Sequence, residues 1–97
     1  MKIVFHPRVF GEVDAIMHYY ETVAGPQLAD DFYREFRKYV QNVSIDPGRF
    51  SLRKGEYRRA NLKRFPYNFL FRVLDDHIRI LVVRHHGRIP GFGSMRK

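Results

Sequence analysis

This 97-residue chain has no cysteine, which excludes disulfide staples, thiolate zinc sites and thiol nucleophiles. A reducing compartment fits that composition. Long apolar runs are also missing. The longest aliphatic stretch, Ile80 to Val83, is far too short to cross a bilayer. Ile3-Val4-Phe5 is followed at once by His6-Pro7, so no secretory apolar region opens the chain. The expectation is a cytoplasmic protein with no membrane partner. There is no glycine-rich phosphate loop, no internal repeat and no linker. Five histidines are present, but no HxxxH pair accompanies them, and the adjacent His85 and His86 would point to opposite faces of a strand. Neither a metal nor a cofactor is expected.

Acidic residues are scarce in one half only. Residues 1–48 carry five Lys and Arg against seven Asp and Glu, a balance of −2, whereas residues 49–97 carry thirteen against three, a balance of +10. Solubility does not require such segregation; it places a positive field on one part of the fold. Nucleic acid, a ribonucleoprotein or an acidic protein is its natural complement. An apolar content of 44%, with nine Phe and six Tyr, is ample for one core. A chain this size folds as one domain over residues 1–97, burying roughly two-thirds of its unfolded surface.

The apolar pattern gives the element order. Lys2 to Phe5 reads as a short strand, and Pro7 suits the first turn of a helix, where no N–H is needed. Val9, Val13, Ile16 and Tyr20 share one helical face, and Gly25-Pro26 ends that helix and starts another. Phe32, Phe36, Tyr39 and Val43 repeat the spacing, with Ala29 and Val40 widening the stripe, until Asp46-Pro47-Gly48. The two helices would form a hairpin with a shared apolar seam. After a polar loop from Arg49 to Glu56 the period changes to two. Arg58, Ala60 and Leu62 alternate with Arg59, Asn61 and Lys63, and Phe65-Pro66 interrupts the pattern. Tyr67, Phe69, Phe71 and Val73 face one way; Asn68, Leu70, Arg72 and Leu74 face the other. Asp75-Asp76 reads as a tight turn that uses the tolerance of Asp for the left-handed conformation. His77 to His85 is the last strand, apolar on both faces and therefore interior. The segment from Gly87 to Lys97, with three glycines and a proline, is not expected to be regular. The fold class is α+β, a small twisted antiparallel sheet in the order β-α-α-β-β-β with the helical hairpin packed on one side.

That order, with Tyr19-Tyr20-Glu21, Gly25, Leu28-Ala29, Phe32, Asp46-Pro47, Arg59, Leu62, Phe65-Pro66-Tyr67, Phe71-Arg72-Val73, Ile78, Ile80, Val82, His85, Arg88 and Pro90, resembles the RelE/ParE superfamily of bacterial toxins. The likeness spans nearly the whole chain. It implies a growth-arresting toxin, neutralised in a hetero-oligomer by a cognate antitoxin whose flexible amphipathic segment wraps it. Two mechanisms occur in the superfamily. On the ParE-like branch, which Phe65-Pro66-Tyr67 and His85-x-x-Arg88-x-Pro90 resemble more, the target is DNA gyrase. The contact residues would then be Lys54, Arg59, Arg84, Arg88, Phe92 and Arg96. On the RelE-like branch the protein would be an endoribonuclease cutting mRNA on the ribosome, with Arg59, His85 and Arg88 as the catalytic set. Such chemistry needs cations for the phosphorane charge and a proton carrier, for which histidine suits. Ribonuclease members commonly place a Tyr or His near the C-terminal end, where this chain offers Phe92 instead. A third reading is a basic binding module that keeps the fold without toxicity.

Plainer roles compete for the same residues. Arg58-Arg59 and Lys63-Arg64 would serve as gatekeepers on an edge strand. Arg72 and Arg79 would pair with Asp75, Asp76 or Glu56. Most aromatics lie on apolar stripes, leaving Tyr57, Tyr67 and Phe92 as the candidates for base stacking.

Overall fold

Pro7 and Gly25-Pro26 organise the helical half. In the computed structural model, which describes Met1 to Lys97, strand β1 spans Lys2–Phe5 and helix α1 spans Arg8–Ala24. Pro7 precedes α1 with φ −55°, already a helical value. Gly25 then takes φ 93°, a conformation open to glycine and costly for other residues, and Pro26 occupies the first turn of α2, Pro26–Ile45. Val9, Val13 and Ile16 of α1 are buried together with Ala29, Phe32, Phe36 and Val43 of α2, the two stripes read from the sequence. A single 3₁₀ turn, Pro47–Arg49, follows.

The remaining strands are β2 (Ser51–Arg53), β3 (Tyr57–Asn61), β4 (Tyr67–Val73) and β5 (His77–His85). They form one five-stranded sheet in the order β1-β5-β4-β3-β2. The α+β class and the one-sided helical hairpin are as read from the sequence, but three details differ. First, the sheet is mixed, because β1 pairs with β5 in parallel, with Ile3 opposite Ile78. The two strands lie at opposite ends of the chain, with the helical hairpin and three strands between them in sequence, and no local pattern encodes the direction in which they meet. Second, the polar loop contains the short edge strand β2, paired with β3. Three residues with Ser51 and Leu52 exposed offer too little alternation to announce a strand. Third, neither Asp75 nor Asp76 is left-handed. That turn is closed by the Leu74 N–H donating to the His77 carbonyl at 2.9 Å. The left-handed non-glycine residue is Lys54 (φ 50°), beside Gly55 (φ 73°) in the β2–β3 hairpin.

Two clusters of unequal size flank the sheet. The helix-covered face holds most of the core, including Phe32, Phe36, Phe69, Phe71, Ile78 and Ile80. The opposite face holds Tyr57, Leu70, Leu81 and Val82, with Phe92 packed on them. A bulge makes this division possible: Leu70 pairs with Val82 and Phe71 with Ile80, leaving Leu81 as the extra residue.

Candidate functional site

The open face of the sheet is built from alternate positions of four strands. Asn68, Leu70 and Arg72 of β4 lie there, since Tyr67, Phe69 and Phe71 point into the helix-side core. Pairing with these residues brings Arg59 opposite Leu70, Arg84 opposite Asn68, and Arg79 opposite Arg72. Arg53, opposite Tyr57, completes the set on β2. Five arginines thus share one face, and they do different things.

Arg84 is consumed internally. Its side chain is 5% exposed; Nε donates to the Asn68 Oδ1 at 2.9 Å, and one terminal nitrogen donates to the carbonyls of Ile89, Pro90 and Phe92 at 3.1, 2.7 and 2.9 Å. Burial first, and the positive charge of Arg59 second, lower its affinity for its proton below the ordinary arginine range. The proton stays, because three carbonyl oxygens face it. This residue was expected to contact a target; the structure gives it the task of holding the tail against the sheet.

The tail has no helix or strand, yet it is fastened at three further points. Gly93 (φ 81°) passes so close to β5 that a Cβ there would lie 2.5 Å from the Val82 Cβ, so no other residue fits without displacement. Phe92 covers the small apolar cluster. Arg96, also expected at a target surface, donates to Glu12 Oε2 at 2.6 Å and to the Leu81 carbonyl at 3.2 Å. The other oxygen of Glu12 accepts the Val83 N–H at 3.0 Å, so one carboxylate satisfies both the strand and the tail. Arg88 remains exposed, with its guanidinium over the Phe92 ring at 4.5 Å. Lys54 is exposed in the β2–β3 turn.

The remaining four open-face arginines have a common peculiarity. The Nε atoms of Arg53, Arg59, Arg72 and Arg79 are buried and have no hydrogen-bond partner, and these are the only such side-chain atoms in the protein. An unpaired buried donor costs about 1–3 kcal/mol. Arg72 lies 3.7 Å from the exposed carboxylate of Glu56, as the sequence suggested, whereas Arg79 donates to the main-chain oxygen of Lys97 at 3.0 Å instead of pairing with either aspartate.

His85 is elsewhere. It pairs with Tyr67, and the two rings meet edge to face at 5.3 Å on the helix side of the sheet. Arg59 is on the other side. His85 Nδ1 accepts the Gly87 N–H at 2.9 Å, which leaves Nε2 directed away from that bond. Tyr67 also neighbours Tyr20, whose phenol is pushed up to about 12 by burial and by Tyr67.

An apolar concavity lies on the helix side of the molecule, between β1, α1 and α2. It has a volume of about 960 Å³ and is lined by Ile3, Phe5, Phe10, Met17, Tyr33 and Val40 among others, with Asp14 and Arg37 also on its wall. Phe10 is 67% exposed there. Sequence reasoning passed over this groove. The available signal was Phe10, a large aromatic one position off the buried stripe of α1.

Comparison with known proteins gives a consistent result. Residues 3–90 match the family described as ParE toxin of type II toxin-antitoxin system, parDE. A solved structure of the chromosomal ParDE TA system from P. aeruginosa is similar at 24% identity and a TM-score of 0.77, covering 88% of this chain and 95% of that one. The isolated E. coli RelE toxin is similar at 15% identity and a TM-score of 0.60, covering 96% and 92%. At these identities both likenesses concern the fold. No curated protein matches.

Proposed function

The chain belongs to the ParE toxin family of type II toxin–antitoxin systems, and we propose that it arrests growth by acting on DNA gyrase until a cognate antitoxin neutralises it. The observation that carries this reading is the separation of Arg59 and His85 onto opposite faces of the sheet. An RNA-cutting centre needs a phosphate-holding cation and a proton carrier on the same scissile group. Here the two candidates are divided by the strands that carry them, which supports a toxin that works by binding. Lys54, Arg59 and Arg88 present charge to the target, while Arg84, Arg96 and Phe92 hold the tail in the shape that the target meets.

The apolar groove between β1 and the helices supplies a place for the antitoxin. An amphipathic segment lying in it would cover Phe10 and Tyr33 and set its polar face toward Asp14 and Arg37. No helix of the chain is long and apolar enough to cross a membrane.

A short pulse of expression without antitoxin tests the reading, following DNA and protein synthesis together. DNA synthesis should fail first, and removal of residues 91–97 should weaken the arrest more than Arg59→Ala or His85→Gln. If protein synthesis fails first, and either substitution abolishes the effect, the protein is a RelE-like endoribonuclease. If neither synthesis falls, the non-toxic binding module is the correct reading.

A further inference from the structure

The helical hairpin carries a second stripe on each helix. Phe10, Asp14 and Met17 recur at helical spacing along α1, as do Tyr33, Arg37 and Val40 along α2, and all six line the apolar groove. Each stripe is apolar at its ends and charged at its centre, negative on α1 and positive on α2. Tyr20 and Phe32 meet at 6.1 Å, so six residues back along α1 and five forward along α2 bring Asp14 and Arg37 to about the same level of the antiparallel pair. Neither is joined in an ion pair within the chain, and Arg37 rests over the Tyr33 ring at 6.0 Å. Phe10 meets Phe5 at 5.8 Å but stays 67% exposed, a knob beside the groove. Gly11 follows it in the helix, and a Cβ there would meet nothing within 4 Å. Glycine weakens a helix interior relative to alanine, and the space it leaves here serves no contact of the chain itself. We propose that this face is the interface of a reversible homodimer, in which α1 of one copy lies against α2 of the other.

Shape and charge select a second copy as the occupant. A two-fold interface presents the same patch twice, so whatever one copy offers the other must accept. Here one patch holds both a projecting ring, Phe10, and a concavity to receive it, and both a carboxylate and a guanidinium. The face can be laid on itself in two ways. With α1 against α1, Asp14 meets Asp14; with α1 against α2, each Asp14 meets Arg37 of the other copy. Charge selects the second arrangement. Every residue lining the groove belongs to residues 1–48, whose balance is −2, so neither +10 half enters the contact. Tyr33 to Ser44 is about 17 Å of helix, which sets the contact at the small, reversible end of protein interfaces. The antitoxin segment and a second copy compete for one groove, so the dimer is the form of the chain without that partner. The inference does not depend on what the chain's target is.

Sedimentation velocity of the full chain from about 1 to 200 µM tests this, and the mean mass should rise from one chain towards two. D14R and R37D should each weaken association about tenfold or more. An equimolar mixture of the two variants should recover a heterodimer, because both pairs across the interface are then opposite in sign. G11Q exchanges a poor helix former for a good one, so its thermal midpoint in dilute solution should hold or rise while the dimer weakens about tenfold. Circular dichroism confirms that each variant is folded, and should a charge variant fail to fold, F10S at an exposed position carries the same expectation of loss. A chain that stays monomeric at about 200 µM would overturn the proposal and leave the groove to the antitoxin segment alone. So would a dimer that none of these substitutions weakens, or charge variants that weaken it singly and do not recover on mixing. The measurement needs no toxic activity, so its failure is distinct from failure of the growth assay.

Discussion

The two faces of one sheet are stabilised by different physics. On the helix side, Phe32, Phe36, Phe69 and Phe71 are nearly or wholly without exposure and meet ring to ring, Phe36 and Phe69 edge to face at 5.7 Å. Hydrophobic burial accounts for that face, and Tyr67, Phe69 and Phe71 of β4 contribute to it. On the open side four apolar residues and Phe92 form a small cluster, surrounded by arginines whose donors are only partly used. The first face specifies the fold. The second leaves four arginine Nε donors buried without an acceptor, and the tail is fastened over part of it by the hydrogen bonds of Arg84 and Arg96.

The comparison is sharpened by substitutions that separate the two. The largest effect is expected for Phe32→Ala, which empties a fully buried site among Tyr20, Phe36, Phe65 and Tyr67 and should cost about 3–5 kcal/mol in denaturant unfolding. Arg84→Met keeps volume but strips the Asn68 amide and three tail carbonyls of their donor. A loss of about 2–3 kcal/mol is expected, together with faster hydrogen exchange over residues 88–97. If Arg84→Met proved the more damaging of the two, the division between a hydrophobic face and a hydrogen-bonded face would be wrong. Glu12→Gln retains an acceptor for the Val83 N–H and removes the charge that holds Arg96. About 1 kcal/mol should be lost, with faster exchange at residues 94–97 and little change in β4.

The smallest effect is alkaline and belongs to the helix side. Tyr20 is raised to about 12 from its ordinary value of 10.0 by burial and by Tyr67, and Tyr67 is itself raised by burial. The folded state therefore keeps a proton that the unfolded chain releases near pH 10. The contribution is fully present below pH 10 and is lost as pH rises through about 12. Ultraviolet titration should show Tyr20 ionising late in the folded protein and normally in denaturant; Tyr67→Phe should bring it earlier.

Much of this was legible from residue order because it depends on local periodicity. The buried faces of α1 and α2 follow from apolar residues at helical spacing, and Gly25-Pro26 marks the break between them. The alternation of β4 assigned Phe69 and Phe71 to one side and Leu70 and Arg72 to the other. The charge imbalance announced a basic face before any strand was paired. In the same way, the residues that resemble the RelE/ParE superfamily are spread along the chain in a fixed order, so the family could be reached without coordinates.

Only the tertiary structure decided the rest, because it depends on pairings between distant residues. Whether β1 ran parallel or antiparallel to β5 was settled by a pairing between opposite ends of the chain, with Lys2 opposite His77. Arg84 and Arg96 looked like surface cations by composition; their destinations are carbonyls eight or fewer residues along the chain for Arg84, and the Glu12 carboxylate 84 residues away for Arg96. Arg59 and His85 looked like partners in one site, yet strand pairing placed them on opposite faces. The sequence by itself determined which residues seek water and which avoid it, since that is a property of each side chain and its spacing. Which cations face one another, and which are left without an acceptor, is a property of the register between strands.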